Sequence, residues 1–585
     1  MKSTTAWTLL LVSLIIGVQY AHALEKKRQH PNVIIILTDD QGYGDIGYHN
    51  NPQIKTPTLD KLAQSSVRFN RFYACPVCAP TRAGLMTGRY ALRTGVFDTY
   101  SGGAIMASEE TTIAELFQKA GYTTGHFGKW HLGDSYPSRP HDQGFDTSVW
   151  HLSGGIGQVG DVLNYYKGDS AYFNPTLFRN NQVFQSKGYC SDVFTSEAID
   201  FVKENQKRPF FMYLAFNAPH TPLQVPQKYY DQYKDMEITS TDANGQYIHS
   251  MSKRDKEAAR KVYAMVTNID DNLKRLFDTL KKNKLEKNTI ILFMTDNGPQ
   301  QWRYTGGFRG KKSDVREGGV RVPCFMKIPG KSNRDVACTS SIYDILPTLA
   351  DLCNVELPKH LELDGISLAQ QIDSPKQTID RTIFMEWQRG YPERYRNMAV
   401  IHNSYKALCD RQGKKFELYD LANDPFEEQD ISTHKPQVVR QLKSKIDNWY
   451  SDIMASDHLH HAPRIIVGSS HEKKTILNRN DAKGLPLIWA QDNIQVAWDI
   501  TVAKDALFDV KVYFRTPLKQ AGDLSLRIGT TMKTIHNDKT GIQSLTFKQV
   551  ALQAGEYRLD SWYNSRWPHY ITPFYIEIEK TNNHN

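Results

Sequence analysis

The chain has 585 residues, of which 40% are hydrophobic and 23% charged. That is the composition of a soluble globular protein, and the length exceeds one ordinary core and predicts two or three domains. The net charge of +9 is mild for this length, and no basic tract is concentrated enough for a nucleic-acid binder. It fits either a solvated surface or long-range attraction of polyanions.

The N-terminus opens with Lys2, runs apolar over 7–18, and then offers the small residues Ala21 and Ala23. This predicts a secretory signal peptide over 1–23 and an exported protein, periplasmic or secreted. No Cys follows the junction and no later stretch has the apolarity of a membrane helix, so no membrane anchor is expected. Residues 24–346 alternate apolar runs with helical patterns, which predicts an α/β domain around a buried sheet. The runs 33–37, 210–216 and 289–294 read as core strands. Residues 111–120 read as a helix stopped by Gly121. Val262, Met265, Ile269, Leu273, Leu276 and Leu280 fall on one face of a second helix.

Residues 347–456 read as a smaller mixed subdomain, with strands at 382–386 and 414–419 and a helix over 438–453. The segment 457–464 reads as a linker; its three His are either exposed or a metal tract. From 465 to 585, Val510, Val512 and Phe514 alternate with polar residues, as do Leu524, Leu526 and Ile528, and Phe574, Ile576 and Ile578. That period predicts an accessory β-sandwich.

Four candidate strands run into polar groups at their carboxyl ends. They lead to Asp39 and Asp40, to Lys129 and His131, to His220, and to Asp296 and Asn297. In open α/β sheets ligands bind outside such ends. Asp39, Asp40, Asp296 and Asn297 are all oxygen donors, and a hard divalent cation would relieve the repulsion among the carboxylates. Ca²⁺ is expected, with Mg²⁺ as the alternative. The other reading is that each pair caps a turn after its strand.

Seven Cys are present, an odd number for an exported chain. Cys75-x-x-Cys78 alone would allow a redox pair or half a zinc site, but neither explains Pro80, Thr81 and Arg82. Cys78-Ala79-Pro80-Thr81-Arg82 resembles the signature of the type I, formylglycine-dependent sulfatases. Asp39-Asp40-Gln41-Gly42, Gly128-Lys129-Trp130-His131, Pro219-His220, Thr295-Asp296-Asn297-Gly298 and Arg309-Gly310-Lys311-Lys312 follow the order of motifs in that family. So do Glu317-Gly318-Gly319-Val320, Asp344-Ile345-Leu346-Pro347 and Leu418-Tyr419-Asp420-Leu421. The resemblance covers about 31–456 and implies an alkaline-phosphatase-like α/β core.

It also implies roles. Cys78 would be converted to 3-oxoalanine (formylglycine) by a formylglycine-generating or sulfatase-maturating enzyme, and its hydrate would attack sulfur and join the metal ligands. Asp39, Asp40, Asp296 and Asn297 would hold the cation. Arg82 would orient the nucleophile, and Lys129 and Lys312 would neutralise the sulfate. His220 would protonate the leaving oxygen and His131 would take the proton that lets sulfate depart. Thr81 stands where the family often has Ser and keeps the hydroxyl.

For the substrate, His151, Trp302 and Arg303 are candidates, with Tyr165, Tyr166 and Lys167 beside them. Trp562, Tyr563, Trp567 and Tyr570 are either a sugar-stacking face or sandwich core. The function implied is an exported sulfatase acting on a sulfated carbohydrate, for example oligosaccharides of ulvan or carrageenan. The alternatives are a phosphatase or phosphonate monoester hydrolase on the same core, and a non-catalytic exported glycan-binding protein.

Overall fold

The computed structural model describes residues 30–241, 249–484, 486–566 and 569–581. The signal-peptide expectation over 1–23 and Trp567 lie outside them.

The elements that carry the site are β1 (Asn32–Thr38), α1 (Cys78–Thr87), β2 (Thr123–Lys129), β3 (Thr147–His151), β4 (Phe210–Ala215), α2 (Lys253–Lys282) and β5 (Thr289–Thr295). Among the described residues the main sheet has ten strands, with β5, β1, β4, β2 and β3 adjacent in that order. These five are parallel to one another; Ile35 of β1 sits opposite Tyr213 on one side and Leu292 on the other. Their carboxyl ends therefore share one edge.

A continuous β-branched run suits β1 because both of its faces are covered. Val33, Ile35 and Leu37 enter one core, with Ala79 and Ala83 of α1 and with Ile345 and Leu349 of the helix Ile345–Cys353. Ile34 and Ile36 enter the other, with Met265, Ile269, Leu273 and Leu276 of α2. Each such side chain contributes about 1.5–3 kcal/mol by leaving water. The helix expected over 111–120 spans Ile113–Lys119, because Thr112 is its N-cap: its hydroxyl accepts from Glu115 N and the Glu115 side chain answers its N–H. Gly121 follows at φ +88, as a stop requires.

The smaller subdomain is a four-stranded antiparallel sheet, Thr382–Glu386, Met398–His402, Tyr405–Cys409 and Phe416–Asp420. Leu442 and Ile446 of the helix Pro436–Ile453 cover one of its faces. The last strand begins two residues later than expected, after the turn at 411–413.

Among the described residues the C-terminal region forms a seven-stranded and a four-stranded sheet that share one core, including Trp498, Val510, Leu524, Tyr563 and Ile576. Tyr563 is thus core, while Trp562 and Tyr570 are half-buried. In the linker, Asp457–His460 forms a helical turn. The sandwich is seated on the catalytic domain. Asn478 Nδ2 donates to Asp134 at 2.7 Å, Arg139 pairs with Glu472 at 3.1 Å, and the Tyr166 hydroxyl donates to the Arg515 carbonyl at 3.0 Å. All seven cysteines are buried and free.

Candidate active site

The shared edge gathers the polar groups that the sequence places at strand ends. Cys78 is the first residue of α1, so its side chain lies at the positive end of a buried helix. Thr81, one turn on, accepts from Cys75 N at 2.9 Å and donates to the Asp296 carbonyl at 2.7 Å. Arg82 donates to Asp296 Oδ2 at 2.7 Å and to the Lys129 carbonyl at 3.1 Å. One helical turn therefore ties the ends of β2 and β5 around residue 78.

Two glycines let these ends close up. A Cβ on Gly128, at φ +120, would lie 1.8 Å from the Ala215 carbonyl oxygen, so β2 could not approach β4 just before Lys129. A Cβ on Gly298 would meet the Gly318 carbonyl at 1.9 Å. Asp40 and His131 both adopt positive φ, 61° and 64°. Such conformations in non-glycine residues tend to persist where the surroundings hold them for function.

Lys129 Nζ is 2.6 Å from Asp39 Oδ2 and Lys312 Nζ is 2.6 Å from Asp40 Oδ1. Asn297 Nδ2 donates to Asp40 Oδ1 at 2.8 Å, and His220 Nε2 lies 3.6 Å from Asp40 Oδ2. His131 Nδ1 is 3.4 Å from Cys78 Sγ, while its Nε2 is 2.8 Å from the Thr99 carbonyl. A carbonyl only accepts, so Nε2 carries the proton and the Nδ1 lone pair faces residue 78. Burial first, then Lys129, keeps His131 well below the usual imidazole range. Burial holds His220 at about 3 despite Asp40. Burial also pushes the Cys78 thiol up, against the pull of Lys129 and Lys312, so an unmodified thiol here is a poor nucleophile at neutral pH. Asp40 is held below the usual carboxylate range: burial opposes this, but Lys312 and His220 prevail. Asp296 is pushed up to about 7 by burial and then by Asp39.

The donor set fits a cation. Asp39 Oδ1, Asp40 Oδ2 and Asn297 Oδ1 are buried without a hydrogen-bond partner, and such groups are rare unless an ion or water satisfies them. Ligand atoms of Asp39, Cys78 and Asp296 lie within 4.8 Å of one another, as do those of Asp39, Asp40 and His220. Oxygen-rich ligation of this kind suits a hard divalent ion.

The substrate candidates fare differently. Arg303 is fully buried, with its guanidinium on Asp45 and on the Asp40 carbonyl; that corrects the expectation of a substrate contact. His151 is 1% exposed and pairs in register with Lys129, and its Nδ1 is bonded to the Leu152 carbonyl at 2.9 Å. Trp302 stays half-buried, 5.0 Å from the His249 ring and under Lys311. Tyr165 and Tyr166 pack on Phe574 of the sandwich, and Lys167 bonds the Asn174 carbonyl. Sequence reasoning missed Gln158, whose Nε2 is 3.3 Å from His220 Nδ1, and Thr99. Both are single residues in loops with no pattern to mark them.

The sulfatase family model matches residues 31–355, and the model of the N-sulphoglucosamine sulphohydrolase C-terminal region matches residues 307–452. The chain belongs to the sulfatase family, whose members hydrolyse sulfuric esters. It is 33% identical over 496 residues to the uncharacterized sulfatase YdeN of Escherichia coli strain K12, covering 71% of this chain and 84% of that one. It is 29% identical over 436 residues to the ulvan-active sulfatase of Formosa agariphila, covering 71% and 80%. Among solved structures, Ps i-CgsB in complex with k-i-k-neocarrahexaose matches with a TM-score of 0.64 at 30% identity, over 73% of this chain and 94% of that one.

Proposed function

We propose that this chain is an exported sulfatase that removes sulfate esters from oligosaccharides of a sulfated polysaccharide, using a formylglycine made from Cys78 and a divalent cation, Ca²⁺ before Mg²⁺. The observation that carries the reading is the arrangement around Cys78: a buried helix N-terminus, orphaned carboxylate and amide oxygens, two lysines and two histidines on one sheet edge. The ulvan-active and carrageenan-bound relatives support a sulfated algal glycan as the substrate class.

Asp39, Asp40, Asp296 and Asn297 would hold the cation, which supplies charge neutralisation and lowers the pKa of the nucleophilic hydroxyl. The hydrated aldehyde at position 78 supplies two hydroxyls, one to attack and one from which sulfate can be expelled. Lys129 and Lys312 each keep N–H groups beyond their carboxylate partners, and these bind the sulfate oxygens as charge redistributes. His131 takes a proton at Nδ1, the nitrogen that faces residue 78. His220, when protonated, donates from Nδ1 to the Thr221 carbonyl, 2.7 Å away, and has Nε2–H left for the departing sugar oxygen. Arg82 keeps the Asp296 carboxylate and the end of β2 in place. A signal peptide over 1–23 and a maturation enzyme acting on 78–82 complete the reading.

The test is mass spectrometry of the tryptic peptide 72–82 from the native source with a hydrazide trap, together with sulfate release from a panel of sulfated and phosphorylated sugars. An aldehyde at position 78 and sulfate release are expected. An intact thiol there, or faster cleavage of the phosphate esters, would overturn the reading.

A further inference from the structure

Beside the nucleophile, three distant parts of the chain meet around one arginine. The Thr99 carbonyl that accepts from His131 belongs to a loop whose Thr99 Oγ1 accepts from Arg389 Nη1 at 2.9 Å. The buried Asp98 carboxylate pairs with the same nitrogen and accepts from Gly390 N at 2.8 Å. The guanidinium carbon lies 4.1 Å from the Tyr100 ring centroid and 4.9 Å from that of Trp387. Trp489, from the sandwich, stacks on Tyr100 with centroids 4.8 Å apart and planes at 24°. Gly102 N donates to the Asn480 carbonyl at 3.1 Å, which fixes this loop to the sandwich.

Arg389 has five N–H donors. Its hydrogen bonds to Asp98 and Thr99 use Nη1, and the side chain is 33% exposed. The Nε–Nη2 edge has no hydrogen-bond partner among the described residues. That edge is the planar fork that matches a carboxylate or a sulfate through two parallel bonds. Asp98 and the aromatic faces hold it in position beforehand, which lowers the ordering cost of binding. The Tyr100 ring is held between the guanidinium and Trp489, and the half-buried Trp489 adds a flat, amphipathic ring of the kind that accepts an apolar ligand face with a polar rim. A cavity of about 890 Å³ lies next to this cluster, with Asp98 and Gly390 in its wall but not Arg389, Tyr100 or Trp489, and its lining runs on to Lys483 of the sandwich and His458 of the linker.

We propose that Arg389 and Trp489, joined by the Tyr100 ring between them, form a subsite, shared between the catalytic domain and the sandwich, for an anionic substituent on a second sugar of the substrate. The group recognised is a sulfate or carboxylate on the sugar next to the one that loses its ester. The proposal rests on the sulfatase reading above and assigns the sandwich a part in substrate choice.

The test compares 4-nitrophenyl sulfate with carrageenan and ulvan oligosaccharides in two sets, whose neighbouring sugar carries or lacks an anionic group. The wild-type full-length protein should prefer the doubly anionic set at least about 10-fold. Arg389→Ala and Trp489→Ala should each lower the ratio of kcat/KM for that set to kcat/KM for the aryl sulfate. The expected drop is about 10- to 100-fold, the worth of charge-assisted hydrogen bonds. Arg389→Lys, which keeps charge but loses the fork, should fall between. A ratio that stays constant while both substrates slow together would show that Arg389 only supports Thr99 and His131, and would overturn the proposal. So would a wild-type protein that cleaves the aryl sulfate yet shows no preference between the sets, an outcome that leaves the sulfatase reading standing. A protein inert on every sulfate ester would overturn that reading itself and this proposal with it.

Discussion

Arg303 and Asp45 form a fully buried ion pair, Nη2 to Oδ2 2.7 Å, and the same nitrogen donates to the Asp40 carbonyl at 2.7 Å. Asp45 in turn accepts from Gly42 N at 2.7 Å. The pair therefore clamps the turn that carries two of the proposed cation ligands, with Asp40 at φ 61 in its middle.

Arg303→Leu leaves the Asp45 carboxylate buried and alone, and removing one member of such a pair costs about 3–5 kcal/mol. The expected result is a lower melting temperature and weaker stabilisation by added cation. Arg303→Leu combined with Asp45→Leu should regain part of the melting temperature, because no lone charge remains, and none of the cation response. A single variant that melts like the wild type would refute the clamp.

The orphaned oxygens of Asp39, Asp40 and Asn297 predict a cation-linked stability. An ion that binds only the folded chain adds about 2.7 kcal/mol at 100 times its Kd. Chelator-stripped protein should melt lower than protein in millimolar Ca²⁺, and Asp39→Ala should abolish that difference. A larger shift with Mg²⁺ would correct the identity of the ion. Indifference to chelator, Ca²⁺ and Mg²⁺ alike would remove the metal site.

The site was legible where a strand pattern ends abruptly in charge. Asp39, Asp40, Asp296 and Asn297 could be read because no buried strand needs carboxylates at its end, and they do converge. Lys312 needed the family spacing, since Lys311 beside it looks the same in sequence; the structure puts Lys312 on Asp40 and Lys311 on the Gln300 carbonyl. Arg303 was misread for a physical reason: an arginine next to a tryptophan after the metal motif is equally compatible with pointing outward or inward. Only its partner Asp45, 258 positions away, decides which. The seating of the sandwich could not be read at all. It depends on side chains paired across more than 330 positions, such as Arg139 with Glu472 and Asn478 with Asp134, and on main-chain carbonyls such as those of Arg515 and Asn480, and neither carries a sequence signature.

Two histidines under the site predict an acid-sensitive fold. Burial holds His126 and His151 at about 3, against 6.5 for the free side chain. Below pH 6.5 the unfolded chain takes up protons that the folded chain refuses, so stability falls as pH drops from about 6.5 toward about 3 and is flat above. Each histidine adds a slope of about 1.4 kcal/mol per pH unit in that window. Melting temperature followed from pH 7.5 to 4.5 should decline, and His126→Gln should make the decline shallower. An equal slope in the variant would show that other groups set it.

If His220 is the acid as proposed, the proton it delivers should matter in proportion to how poor the leaving group is. A sugar alcohol leaves as a strongly basic alkoxide and needs that proton, whereas 4-nitrophenolate leaves readily without it. His220→Gln removes the donor near Asp40 and keeps a similar volume at a position that is 7% exposed. General acid catalysis is worth about 10²- to 10⁴-fold. Sulfate release from a sugar ester should fall within that range, and release from 4-nitrophenyl sulfate should fall much less. His131→Gln should slow both substrates alike, because the proton it takes belongs to the step that expels sulfate, after the leaving group has gone. Equal losses for His220→Gln on the two substrates would exchange or merge these roles, and steady-state kcat and kcat/KM for both variants on both esters decide between them.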